Sequence, residues 1–115
     1  MQSPRDGVLL RIFLGEGERF GGMSLYEAIV LKARERRLAG ATVLRGPMGF
    51  GHSNELHTAK FFALSHDLPL IIEIVDSQEA IDGFLTEIDA MMTGASGLIT
   101  MKKVQVLQYG TTQPS

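Results

Sequence analysis

Residues Leu68 to Val75 constrain this chain more than any other stretch. Leu68, Leu70, Ile72 and Ile74 alternate with Pro69, Ile71, Glu73 and Val75, so each set lines one face of a strand. The run is too short for a spanning helix, which needs roughly 20 apolar residues. Directly after it, Asp76-Ser77-Gln78-Glu79 reads as an Asp-led capping box, in which side chains satisfy free helix-terminal amides. Ile81, Phe84, Leu85, Ile88, Met91 and Met92 then recur at helical spacing. A strand therefore runs straight into an amphipathic helix.

The same junctions recur along the chain. Val8 to Leu14 is rich in branched and aromatic residues and stops at Gly15, as a strand does. A polar connection from Gly15 to Gly22 leads to Ser24-Leu25-Tyr26-Glu27, a second capping box. Leu25, Ala28, Ile29, Lys32, Ala33 and Arg36 share one face of the helix it opens, and Gly40 is its expected C-cap. Ala41 to Arg45 is strand-like, Thr93 to Gly97 closes the second helix, and Leu98 to Leu107 makes a last strand. The order β-α-β-β-α-β is the ferredoxin-like α+β arrangement: a four-stranded antiparallel sheet with two helices on one face. We expect one domain over residues 7–108, with residues 1–6 and 109–115 as frayed tails.

Two helices cover only one side of such a sheet. The other side still carries Ile71, Val75, Leu9 and Phe13, more apolar than a solvated face should be. Self-association through that face is the economical explanation, with Arg11 and Glu73 as charges needing partners. Composition narrows the function. A chain of 115 residues suits one core, and the absence of Cys excludes disulfides and thiolate chemistry. A net charge of −2 provides no global attraction for nucleic acid. With no targeting or spanning segment legible, the expectation is a soluble cytoplasmic protein.

The stretch from Gly46 to Asp67 exceeds what a hairpin needs and holds all three His of the chain. Within it, the loop from Gly46 to Lys60 is expected to be the most mobile internal segment when no ligand is bound. Its Gly46-x-x-Gly49-x-Gly51 pattern lacks the strand-to-helix context of a dinucleotide fingerprint and the Gly-Lys-Ser/Thr of a Walker loop. His52, His57 and His66, spaced by five and nine, match no compact metal signature. Lys32, Arg34, Arg36 and Arg37 occupy the last turns of a helix, where the macrodipole favours cations. Ser24 and Ser77 are explained as caps. No nucleophile–base pairing is legible, so the chain does not read as an enzyme.

Several segments, taken together, resemble a known family. Gly40-Ala41-Thr42-Val43, Gly49-Phe50-Gly51, Asp67-Leu68-Pro69, Ile72-Glu73-Ile74-Val75, Thr93-Gly94 and Gly97 are similar in order and spacing to the PII signalling proteins. The nearer resemblance is to an uncharacterised PII-like family. Its pattern is matched by residues 10–16 (Leu-Arg-Ile-Phe-Leu-Gly-Glu), 25–30, 39–46, 48–51 (Met-Gly-Phe-Gly) and 64–69.

The resemblance implies a trimer with inward-packed sheets and a small anionic effector, an adenine nucleotide, in the clefts between subunits. It also implies a long T-loop that engages a membrane transporter or ion channel. Thr42, Gly49, Phe50 and Gly51 match the cleft and T-loop base, Glu73 lies on the matching third strand, and Gly94 to Gly97 match the B-loop. His52 and Ser53 stand where PII has Arg-Gln, the Tyr that PII modifies has no counterpart, and the B-loop Gly-Lys is missing. Arg45 and Lys60 flank the loop and complete the expected ligand-binding set, in which no residue is assigned to metal or catalysis. The alternative is a divalent-metal-responsive protein resembling the cation-tolerance relatives of this fold, using His52 or His57.

Overall fold

Alternation of apolar and polar residues builds the sheet in the computed structural model, which describes residues 3–49, 57–58 and 68–107. Strand β1 (Arg5–Gly15) leads through a two-residue ribbon, β2 (Arg19–Phe20) with β3 (Met23–Ser24), into α1 (Leu25–Glu35). The chain continues as β4 (Thr42–Arg45) and a second ribbon, β5 (Met48–Gly49) with β6 (His57–Thr58). It then forms β7 (Pro69–Asp76), α2 (Gln78–Met92) and β8 (Gly97–Val106). The four long strands pair antiparallel in the order β4-β7-β1-β8, which is the ferredoxin-like topology expected. β1 begins at Arg5, paired with Val106, and so reaches into the segment expected to fray.

The core lies between helices and sheet. Leu10 and Ile12 of β1, Ile72 and Ile74 of β7, Leu25 and Ile29 of α1, and Ile81, Phe84 and Ile88 of α2 are fully buried. The alternation in β7 falls as the sequence implies, with Leu70, Ile72 and Ile74 inward and Ile71, Glu73 and Val75 on the face without helices.

The helix ends differ from expectation. Ser24 has extended backbone but makes no side-chain cap; the first amide of α1, on Leu25, donates to the Glu18 carbonyl at 2.8 Å. Ser77, not Asp76, caps α2, its hydroxyl accepting from the Ala80 amide. Asp76 is free to accept from the Ser77 and Ala39 amides and ties β7 to the segment after α1. That segment turns early. Arg37 has a φ of 60°, and the amides of Leu38 and Arg37 donate to the carbonyls of Ala33 and Arg34, the pattern of a Schellman motif. The helix therefore closes on Arg37 rather than Gly40. An L-side chain in this left-handed region costs roughly 1–2 kcal/mol that glycine does not incur, partly offset by glycine's freedom in the unfolded chain. Arg37→Gly is expected to stabilise the protein by about 1 kcal/mol. A urea midpoint unchanged or lowered would mean that the arginine makes an offsetting contact.

Lys32 of α1 and Arg36 at its end are held by acidic neighbours. Lys32 Nζ lies 2.8 Å from Glu35 Oε2, and Arg36 pairs with Glu87 of α2. The Lys32 hydrogen bond and charge hold the Glu35 carboxyl below its usual range, and Glu35 chiefly raises Lys32. Glu35's contribution is thus present above the ordinary carboxylate range and lost on acidification; that of Lys32 is lost only at strongly alkaline pH. Both groups face water, so the effect is small. Arg36 also lies over a glycine inside α2: a Cβ on Gly83 would sit 2.5 Å from its Nη2, so the guanidinium would have to shift to admit a larger residue.

Candidate functional site

Register places side chains in rows across the sheet, because directly paired residues of antiparallel strands point to the same face. On the face without helices, Leu44, Ile71, Phe13 and Leu98 form one apolar row spanning all four strands. Leu44 and Leu98, at its ends, are 45% and 59% exposed. The next row is polar: Thr42, Glu73, Arg11 and Thr100. Arg11 Nε donates to Glu73 Oε2 at 2.8 Å, so the two charges expected to need outside partners neutralise each other within the chain. Thr42 stands opposite Glu73 in that row, which brings two expected site residues together.

A second group gathers at one end of the sheet. Arg45 is paired with Leu70, and Leu70 with Leu14, whose other partner is Gly97. Past this row, Arg45 forms an ion pair with Glu16, whose side chain is 6% exposed. The Gly46 amide donates to the Pro69 carbonyl at 2.8 Å, and a Cβ on Gly46 or Gly49 would press on the Pro69 ring at 3.2 or 3.3 Å. The ribbon pairs Met48 with Thr58 and Gly49 with His57, which closes the base of the long loop. Phe50, Gly51, His52, Ser53 and Lys60 lie outside the described residues, as does most of the loop expected to be mobile.

The turn from Met92 to Gly97 sits at the same sheet end but on the opposite edge. Gly94 has a φ of 84°, and a Cβ on Gly97 would lie 2.9 Å from the Phe13 carbonyl oxygen. Both positions therefore favour glycine, one for its backbone conformation and one for close approach. The Ser96 amide donates to Glu18 Oε1 at 3.2 Å. Four strands at about 4.8 Å spacing separate Arg45 from Gly97 by roughly 14 Å. The expected residues thus fall into three places: Thr42 with Glu73 on the open face, Arg45 with Gly49 at one corner, and Gly94 with Gly97 at the other.

Sequence reasoning missed Glu16 and Glu18. It treated Gly15 to Gly22 as a polar connection; the available signal was Gly15-Glu16-Gly17-Glu18, two carboxylates between glycines directly after a strand. Among the described residues, no group of three or more His, Asp or Glu is placed to hold a metal ion. No helix there is long and apolar enough to cross a membrane.

Comparison with known proteins decides the family. The DUF190 model, described as uncharacterized ACR, matches residues 7–106. The chain belongs to the DUF190 family. A UPF0166 protein of Aquifex aeolicus (strain VF5) is 42% identical over 99 residues, covering 86% of this chain and 91% of that one. The UPF0166 protein of Methanocaldococcus jannaschii is 35% identical over 105 residues, covering 90% and 94%. Among solved structures, this DUF190 chain is similar to CPII, a nitrogen regulatory PII-like protein from Thiomonas intermedia K12 bound to ADP, AMP and bicarbonate. The TM-score is 0.72 at 15% identity, covering 90% of this chain and 91% of that one. The DUF190 chain therefore has the PII-like, ferredoxin-like fold.

Proposed function

We propose that this DUF190 protein is a PII-like regulator. It assembles as a trimer through the open sheet faces and binds an adenine nucleotide in the clefts between subunits. The long loop from Gly46 to Lys60 reports the ligand to a partner, a membrane transporter or ion channel. The observation that carries this reading is the split of the glycine turns. Gly46 and Gly49 lie beside one edge of the sheet and Gly94 to Gly97 beside the other, at the same end. One copy cannot close both around a single small ligand, whereas the corner of one copy and the opposite corner of the next can. The apolar row Leu44-Ile71-Phe13-Leu98 supplies a surface for the second copy, and burying it contributes roughly 25 cal/mol per Å².

Glycines at both corners admit close approach of backbone amides to a phosphate. The CPII structure with ADP and AMP supports the ligand class, because its fold is the same. Sedimentation and calorimetry against ADP test the reading together. A trimeric mass and saturable ADP binding are expected; a stable monomer that binds no nucleotide would reject it. The expected non-enzymatic role is tested in the same sample by following ADP itself, which should be recovered unchanged.

A further inference from the structure

Glu18 holds the turn that an anionic ligand would use. Its backbone is fixed on both sides, its amide donating to the Gly15 carbonyl at 3.2 Å and its carbonyl accepting from Leu25 at 2.8 Å. From that anchored position the carboxylate takes the Ser96 amide, inside the turn shaped by the positive φ of Gly94. A carboxylate on a backbone amide is the same interaction that a phosphate oxygen would make there. Both cannot occupy one N–H, and two anions at one turn repel. Arg45, at the opposite corner of this sheet end, is already paired with Glu16.

We propose that Glu18 is an internal competitor for this turn, and that a phosphorylated nucleotide must displace its carboxylate to bind. The proposal rests on the nucleotide reading above and deepens it by naming a residue that sets affinity for the phosphate. Only the side chain must swing, because the backbone of Glu18 is tied to β1 and α1. The competition therefore weakens every phosphorylated ligand while leaving an uncharged nucleoside untouched.

Calorimetry with ADP and with adenosine on the full chain, as wild type, Glu18→Gln and Glu18→Ala, separates the possibilities. Glu18→Ala should tighten ADP by about tenfold, the effect of a difference near 1.4 kcal/mol; Glu18→Gln, which loses the charge but keeps an acceptor oxygen, should tighten it less, and both should leave adenosine unchanged. Exchange of the Ser96 amide with solvent, read by NMR in the free protein, should accelerate in Glu18→Ala. ADP affinity unchanged or weakened in both variants would overturn the competition while leaving the nucleotide reading intact. Equal tightening of ADP and adenosine would overturn it as well, because the effect would not act through phosphate. Binding of neither ligand by any of the three proteins would reject the nucleotide reading, and the competition with it.

Discussion

If the proposed trimer and nucleotide site hold, Ile71→Asp is expected to convert the assembly to monomers and to weaken ADP binding by at least about 100-fold, since removing a charge from water without a partner costs several kcal/mol and each 1.4 kcal/mol is tenfold. Ile71 sits in the middle of the open apolar row, flanked by Leu44 and Phe13. In a single copy it is half-buried on a face without helices, so an aspartate there reaches water and the subunit still folds. In the proposed assembly the same carboxylate would be buried, and Arg11, in the neighbouring row, is already committed to Glu73. In the proposed assembly the two glycine corners of a nucleotide site come from different copies, so that site should fail with it. Far-ultraviolet circular dichroism should match the wild type while sedimentation reports one chain. An unchanged mass with unchanged ADP affinity would mean that the open face is not the interface.

Much of the fold was legible because the periodicity of the chain is clean. The switch from two to 3.6 at Asp76 placed β7 and α2, and the two-sided pattern of β7 correctly indicated an apolar face beyond the reach of the helices. What failed was local and depended on competition between neighbouring groups. Ser24 has the residue type and extended backbone of a cap, yet its hydroxyl makes no cap bond, while the first helical amide, on Leu25, goes to the Glu18 carbonyl. Gly40 has the residue type of a helix stop, but the chain turns at Arg37, where the bonds to Ala33 and Arg34 satisfy the end. Composition at single positions cannot show which acceptor arrives first.

The site was less legible, for a geometric reason. Thr42, Arg45 and Glu73 are close in the sheet, but alternation sends Arg45 to one face and Thr42 with Glu73 to the other. Gly94 and Gly97 lie across the full width of the sheet from Arg45. A motif scan registers each residue but not the face or the edge it occupies. Glu18 illustrates the converse, because its role depends on meeting Ser96, distant in sequence, at the one sheet end that both turns share.

Phe84→Ala should destabilise the fold by about 3–5 kcal/mol, the usual cost of emptying a buried aromatic site, without changing how the folded copies associate. Phe84 is 0% exposed, on α2, and packs within the core between helices and sheet. That core lies on the opposite side of the sheet from Ile71, so the two substitutions act on different faces of the same strands. A loss of this size is a large part of the 5–15 kcal/mol typical of a domain. The variant should still be folded at low temperature, with trimeric mass and ADP affinity close to wild type. Urea unfolding must be compared at matched chain concentration, because association adds to the apparent stability of every folded subunit. A midpoint near wild type would show that neighbouring side chains refill the space. Loss of the trimer in a still-folded Phe84→Ala protein would show instead that the helix layer, not the open sheet face, carries the contact between copies.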